Sequence, residues 1–479
     1  MSFDQMLYRS EDMQLMEAIE HNDLESVRMH VSRGADINYR GQHGETPLIK
    51  AMLCDDSRII RFLLDSGADV NLATVNGYSP LMFACLQNNF ELVRLLCGNH
   101  ADISSHTQEG WTPLILASTN SSVFFENMDH PFFHNLIEIV FKYARYHPDF
   151  NPVHIVNLLL DCGADPNESN IFGTTPLMAA ASMANYPIIK SLLAKKPAVD
   201  LQDTEGKTAL MYAVMATIDE LIDSLIHMRL VSHTVQLSDF MTPPMLAQIR
   251  PHFEPQKELC VNYLINNGAD IRAKDKRGIS ILTHAARAGN LNVVKNLVGN
   301  GANIHVKSPR GITALYAAAI NGHNDIVEFL LSQGAEIDVK LIDGETPLMA
   351  AVWNGQVETV ALLIHKGADV NAKKFTAYKP SGESSLVWAS HRERTEKNEN
   401  YDTIFRLLAQ AGLSEPDGMS GNGTAILPLP VFRGIIDGSR YQGQANQTLI
   451  LVLSALLYDT PDFVYRRVPD RQRLPVHQG

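Results

Sequence analysis

Glu126, His130 and His134 fall four residues apart. On a helix that spacing puts a carboxylate and two imidazoles on one face, the beginning of a zinc site. Pro131 stands at the start of that stretch and no further ligand follows, so no metal and no cofactor is expected. Gly418-Met419-Ser420-Gly421 sets a serine among glycines, but a nucleophile elbow needs the Gly-x-Ser-x-Gly spacing after a strand, and neither condition is met. No phosphate-binding loop, Gly-x-Gly-x-x-Gly or Cys-x-x-Cys pair occurs. Cys54, Cys85, Cys97, Cys162 and Cys260 are odd in number and scattered, which reads as reduced thiols filling a core. No catalytic residue is expected, and the chain does not read as an enzyme.

The bulk numbers narrow the classes further. The chain has 479 residues, 45% apolar and 19% charged, with a formal net charge of −13. That balance builds a globular core and argues against binding duplex nucleic acid. Leu449 to Leu457 is the longest apolar run and is too short to span a bilayer. Met1 to Ser10 lacks the charged and apolar regions of a signal peptide, so a cytoplasmic location is expected.

A fixed period organises nearly everything else. A glycine recurs at 44, 77, 110, 173, 206, 278, 311, 344 and 382. Two residues later stands Ser or Thr (Thr46, Ser79, Thr112, Thr175, Thr208, Ser280, Thr313, Thr346, Ser384), the residue type that caps a helix start. Pro follows at 47, 80, 113, 176 and 347, suited to the first helical position. Leu comes four residues after each glycine and Ala seven after, so both share one helix face. A small residue there lets the next helix approach closely. A second amphipathic helix follows, such as Asp325 to Leu331, and stops at a glycine such as Gly334. A period of this length means stacked units, each packing only on its neighbours.

This pattern resembles the ankyrin repeat over roughly residues 10–413. The resemblance implies an all-α repeat solenoid of about ten units, each a β-hairpin finger followed by two antiparallel helices. Residues 11–38 read as a capping first unit, with Leu15 and Ala18 in register. The 63 residues from Gly110 to Gly173 and the 72 from Gly206 to Gly278 exceed the period, so insertions are expected near 120–152 and 217–256. The first should hold a helix around Leu136 to Phe141. The second should hold a helix from Asp219 to Leu230 and then a segment interrupted by Pro243, Pro244, Pro251 and Pro255. Thus 1–413 reads as the solenoid, 414–465 as a capping segment with a helix near Leu449 to Leu457, and 466–479 as a frayed tail.

The resemblance implies a protein-interaction scaffold, binding a folded partner through a concave groove and the fingers, and the chain is expected to be monomeric alone. Ankyrin arrays with insertions also occur in secreted bacterial effectors that act on host proteins in the host cytosol, a second reading. A third puts metal or catalytic chemistry in the first insertion. His130-Pro131-Phe132 is similar to the start of the Fic transferase motif. However, Phe133-His134-Asn135-Leu136 follows instead of its acidic and Gly-Asn-Gly-Arg residues, and Gly421-Asn422-Gly423 lies far off without the Arg.

Candidate contact residues come in two groups. Tyr78 and Trp111 follow their repeat glycines, a groove-facing position by the resemblance, and Trp353 ends its first helix on the same side. Trp388 lies on the apolar face and is excluded. The fingers also change sign. Those before Gly110, Gly173 and Gly206 carry Glu109, Glu168, Asp200, Asp203 and Glu205. Those before Gly278, Gly311, Gly344 and Gly382 carry Arg272, Lys274, Lys276, Arg277, Lys307, Arg310, Lys340, Lys373, Lys374 and Lys379 against Asp275, Asp343 and Glu383, which should draw an acidic or phosphorylated partner. Asn71 and Asn371 match the Leu-, Asp-Val-preceded asparagine that can be hydroxylated in ankyrin proteins of animal cytosol, although hydrogen bonding within its own turn is the simpler account of an asparagine there.

Overall fold

A computed structural model of the chain describes residues 3–119, 152–216, 243–376, 379–385, 389 and 399–413. The helices expected at 136–141, 219–230 and 449–457, the metal-like trio Glu126, His130 and His134, the segments after 413, and Trp388 lie outside the described residues.

Each unit begins where the serine or threonine after the repeat glycine caps a short helix. In eight units the hydroxyl accepts the amide three residues on, at 3.2–3.4 Å, from Thr46 to Ile49 through Thr346 to Met349. The helices so capped are Pro47–Leu53, Pro80–Leu86, Pro113–Ser118, Pro176–Ser182, Ala209–Met215, Ile281–Ala288, Ala314–Asn321 and Pro347–Trp353. Their Leu and Ala positions are buried, including Leu48, Ala51, Leu315 and Ala318. Successive first helices pack on one another through these residues in one continuous apolar core. The second helices are Ser57–Asp65, Phe90–Gly98, Pro152–Asp161, Tyr186–Ala194, Pro243–Asn266, Leu291–Gly299, Asn324–Ser332 and Val357–His365. Several are capped in turn by a side chain of the preceding residue, as Asn89 caps through the Leu92 amide at 3.0 Å. Phe3–Glu20 and Leu24–Ser32 form the first pair, with Leu15 and Ile19 buried, and Glu399–Leu413 closes the described array.

Three details differ from the expectation. The first helix starts at Phe3 and not near residue 11. The proline-bearing segment is not interrupted: one helix runs from Pro243 to Asn266, through Pro251 and Pro255. Its end is the second helix of its unit, where Cys260, Val261 and Leu264 enter the core, and that burial outweighs the backbone hydrogen bonds the prolines forgo. Finally, the fingers are mostly single tight turns. Among the described residues, paired strands occur at Lys374–Thr376 with Lys379–Glu383, and one isolated bridge at Lys274 and Ser280.

Candidate interaction surface

The fingers are built by one hydrogen-bonding scheme. A polar residue three before the glycine accepts an amide from the returning chain: Thr74 Oγ1 from Tyr78 at 3.1 Å, Thr107 Oγ1 from Trp111 at 3.1 Å, and Asp275 Oδ1 from Ile279 at 2.8 Å. Each tip then bonds to the next. The carbonyls of His43, Asn76, Glu109, Phe172, Glu205, Arg310 and Asp343 accept amides from Val75, Gln108, Ile171, Thr204, Lys276, Ile342 and Phe375, at 2.7–3.2 Å. One rung is skipped: Pro309 occupies the donor position opposite Arg277 and has no N–H to give. Farther down, Asn38, Asn71, Asn167, Asp200 and Asp338 each accept an amide 31 or 70 residues later, tying one unit's loop to the next.

This scheme fixes where the expected contact residues stand. Tyr78 is half-buried, its ring centroid 5.8 Å from that of Phe83. Burial, with the Glu109 charge nearby, raises its phenol above the usual range. Trp111 is half-buried and its indole N–H donates to Glu109 Oε2 at 3.0 Å. Tyr78, Trp111 and Glu109 therefore share one neighbourhood. Trp353 is different: it packs against the core, and its carbonyl accepts the Tyr401 hydroxyl at 3.0 Å, so it belongs to the seam with the closing helix.

The basic fingers also divide. Lys276, Arg277, Arg310 and Lys373 are exposed. Arg277 leans toward the buried Asp275, Nε to Oδ2 at 3.6 Å. Lys307 is exposed but donates to Glu336 at 2.9 Å. Lys374 departs most from a solvated charge. It is half-buried between Glu345 at 2.5 Å and Asp343 at 3.2 Å. Burial pulls its ammonium down, and the hydrogen bonds and charges of Glu345 and then Asp343 more than offset that, leaving it raised. Glu345 also accepts the Tyr316 hydroxyl at 3.1 Å, so this trio braces two units. A second buried pair lies under the first basic finger, where His284 Nε2 meets Asp275 Oδ2 at 3.2 Å. Burial lowers the His284 imidazole despite the carboxylate.

Asn71 is exposed and does more than close its own turn. Its amide donates to Asp69, while its Oδ1 accepts from Asp102 of the next unit at 2.7 Å. Asn371 is exposed, with its amide on Asp369 at 2.9 Å. Among the cysteines, Cys85 and Cys260 are buried, and burial with Cys162 alongside pushes the Cys97 thiol up to about 11. Burial thus keeps Cys85, Cys97 and Cys260 from being ready thiolates. Among the described residues, no group of three or more His, Cys, Asp or Glu is placed to hold a metal ion. Nor is any described helix long and apolar enough to cross a membrane.

Sequence reasoning passed over the apolar fingertips. Val75, Ile171, Phe172, Ile342 and Phe375 all sit at or beside the tip rungs and stand in solvent, Ile171 61% exposed and Phe172 47%. The available signal was position: Val75, Ile171 and Ile342 each occur two residues before a repeat glycine, where the side chain has no core to enter.

Helix pairs stacked at a fixed period, with turn-like fingers tied tip to tip, define a repeat solenoid. The family model for ankyrin repeats in three copies matches residues 15–107, 74–125, 144–239, 219–308, 249–341 and 282–374, which together exceed half of the chain. The chain belongs to the ankyrin-repeat family. A segment of 126 residues is 32% identical to neurogenic locus notch homolog protein 1 of Xenopus laevis. That match covers 26% of this chain and 5% of the notch protein. Ankyrin repeats are generally protein–protein interaction modules.

Proposed function

We propose that this chain is an interaction scaffold whose basic C-terminal fingers bind an acidic or phosphorylated protein segment, without catalysis and without a cofactor. The observation that supports it is the exposure of Lys276, Arg277, Arg310, Lys340 and Lys373 on four consecutive fingers of a chain whose net charge is −13. Charges of one sign on successive tips steer a partner of the other sign and speed its encounter. Ile342 and Phe375, exposed beside Lys340 and Lys373, supply apolar area that a partner can cover once it arrives.

The test is affinity capture with the full chain and with the R277E/R310E variant, followed by binding kinetics of the captured protein. The reversal should slow association, and the difference should shrink as salt rises, because exposed charges are screened beyond about 8 Å at physiological ionic strength. Unchanged association at low salt would refute the reading.

A further inference from the structure

The fingers before Gly173 and Gly206 carry the opposite chemistry. At the tip between Asn170 and Gly173, Ile171 and Phe172 project side by side into solvent. Their neighbours are fixed by the rungs. The Ile171 amide donates to the Glu109 carbonyl at 3.0 Å, and the Phe172 carbonyl accepts from Thr204 at 2.8 Å. Glu205 follows Thr204 directly. The order across three fingers is therefore acid, apolar pair, acid. Both glutamates are exposed, Glu109 holding the Trp111 indole and Glu205 paired with Lys207 at 2.6 Å. Asp102, Asp165 and Asp200 are exposed in the loops of the same units. Burial, and next the charge of Asp165, raises the Glu168 carboxyl, as expected where negative charge is crowded.

The fold does not need these side chains. The rungs are backbone to backbone, and other tips make the same rung with Gln108, Lys276 or Asp343. Two large apolar groups held outward keep much of their cost of hydration. The carboxylates on either side select the sign of whatever covers them.

We propose that Ile171 and Phe172, framed by Glu109 and Glu205, form a docking strip for a basic peptide segment anchored by an apolar side chain. The strip adjoins the first basic finger through the rung from Lys276 to Glu205, but Ile171 and Phe172 lie outside the basic fingers, so I171S/F172S tests it apart from R277E/R310E. Lysines and arginines of the segment pair with the flanking carboxylates. Its apolar residue covers the Ile171–Phe172 pair, with Trp111 of the preceding finger beside it.

The probe is a short fluorescein-labelled peptide with lysines and arginines around a Phe-Leu pair, titrated into the full chain and followed by anisotropy. A matched peptide carries Ser-Ser in place of the pair, and another carries glutamates in place of the basic residues. The Phe-Leu basic peptide should bind at least about tenfold tighter than either, since one well-covered apolar side chain is worth at least that factor. I171S/F172S should remove most of this preference. Because both side chains are exposed, its thermal melt should match the parent. E109Q/E205Q should weaken binding and flatten its salt dependence while keeping the Trp111 and Lys207 hydrogen bonds. Equal affinity for the Phe-Leu and Ser-Ser basic peptides would mean general attraction to an acidic protein and would overturn the proposal. So would a parent chain that self-associates in sedimentation when I171S/F172S does not, since a second copy would then be the occupant.

Discussion

Gly311 and Gly334 offer a controlled comparison, because they share a backbone conformation and differ in what surrounds them. Their φ angles are +88° and +89°. A Cβ at Gly334 would meet nothing within 4 Å, whereas one at Gly311 would lie 2.7 Å from the Lys340 carbonyl oxygen and 2.9 Å from Leu341 Cα. Alanine in the left-handed region costs about 1–2 kcal/mol. The stiffer unfolded chain returns about 0.4–1 kcal/mol of this. Gly334→Ala should therefore destabilise by about 1 kcal/mol. Gly311→Ala carries the same penalty and must also push the next finger away, since its obstacle is backbone and not a side chain that can turn aside. Displacement threatens the rung from Ile342 to the Arg310 carbonyl, 3.2 Å long, worth about 0.5–1.5 kcal/mol net, and adds strain of about 1–3 kcal/mol. The expected loss is about 2 kcal/mol or more beyond that of Gly334→Ala. Urea unfolding of both variants gives the difference, and hydrogen exchange locates it: the Ile342 amide should exchange faster in Gly311→Ala alone. Equal losses with unchanged Ile342 protection would mean that the fingers do not touch as described, and the tip ladder would be wrong.

Two further outcomes follow from buried groups. His284 has its pKa lowered from 6.5 by burial, against the pull of Asp275 and with Arg287 and Lys207 adding to the decrease. The unfolded chain then takes up the proton before the folded one. Stability is fully present above about pH 6.5 and is lost as pH falls toward the folded value. Denaturant midpoints measured from about pH 7 down to about pH 5 should decline, and His284→Gln should flatten that decline. Leu315 is 1% exposed, so Leu315→Ala should cost about 2–5 kcal/mol, visible as a lower melting temperature.

What the sequence revealed and what it hid have a physical division. The capped helix starts, the buried Leu and Ala faces and the glycine turns are local requirements that recur in every unit, so their period exposes them. Lys374 was hidden because its partners Asp343 and Glu345 stand in the preceding unit, and only the stacking of fingers brings them together. The helix through Pro251 and Pro255 was hidden because local propensity argued against it, while the burial that sustains it comes from neighbouring units. The bond from Tyr401 to the Trp353 carbonyl was hidden because its donor comes 48 residues later. Ile171 and Phe172 were passed over for the opposite reason: they stand largely in solvent, and the only trace of it in the sequence is an apolar residue two before a repeat glycine, which Ile171 shares with Val75 and Ile342.

The tip ladder shows why fingertip chemistry belongs to binding more than to folding. His43 with Val75, Glu109 with Ile171, Phe172 with Thr204 and Glu205 with Lys276 all make the same backbone rung with unlike side chains. At Arg277 the rung is missing altogether, because Pro309 has no N–H, and the stack continues through the core on either side. Adjacent tips touch through rungs of 2.7–3.2 Å, but the charged groups beyond them stand in water, where an ion pair is worth only about 0–1 kcal/mol. Exposed like charges on neighbouring fingers therefore destabilise the stack little, and exposed opposite charges stabilise it little, unlike the half-buried Lys374. A fold that is indifferent to tip charge has no reason to sort it, yet the sign switches within the single rung from Glu205 to Lys276. Sorting of that kind suits a partner that approaches the fingers from outside, which is why both proposed partners are assigned to them and neither to the helical core.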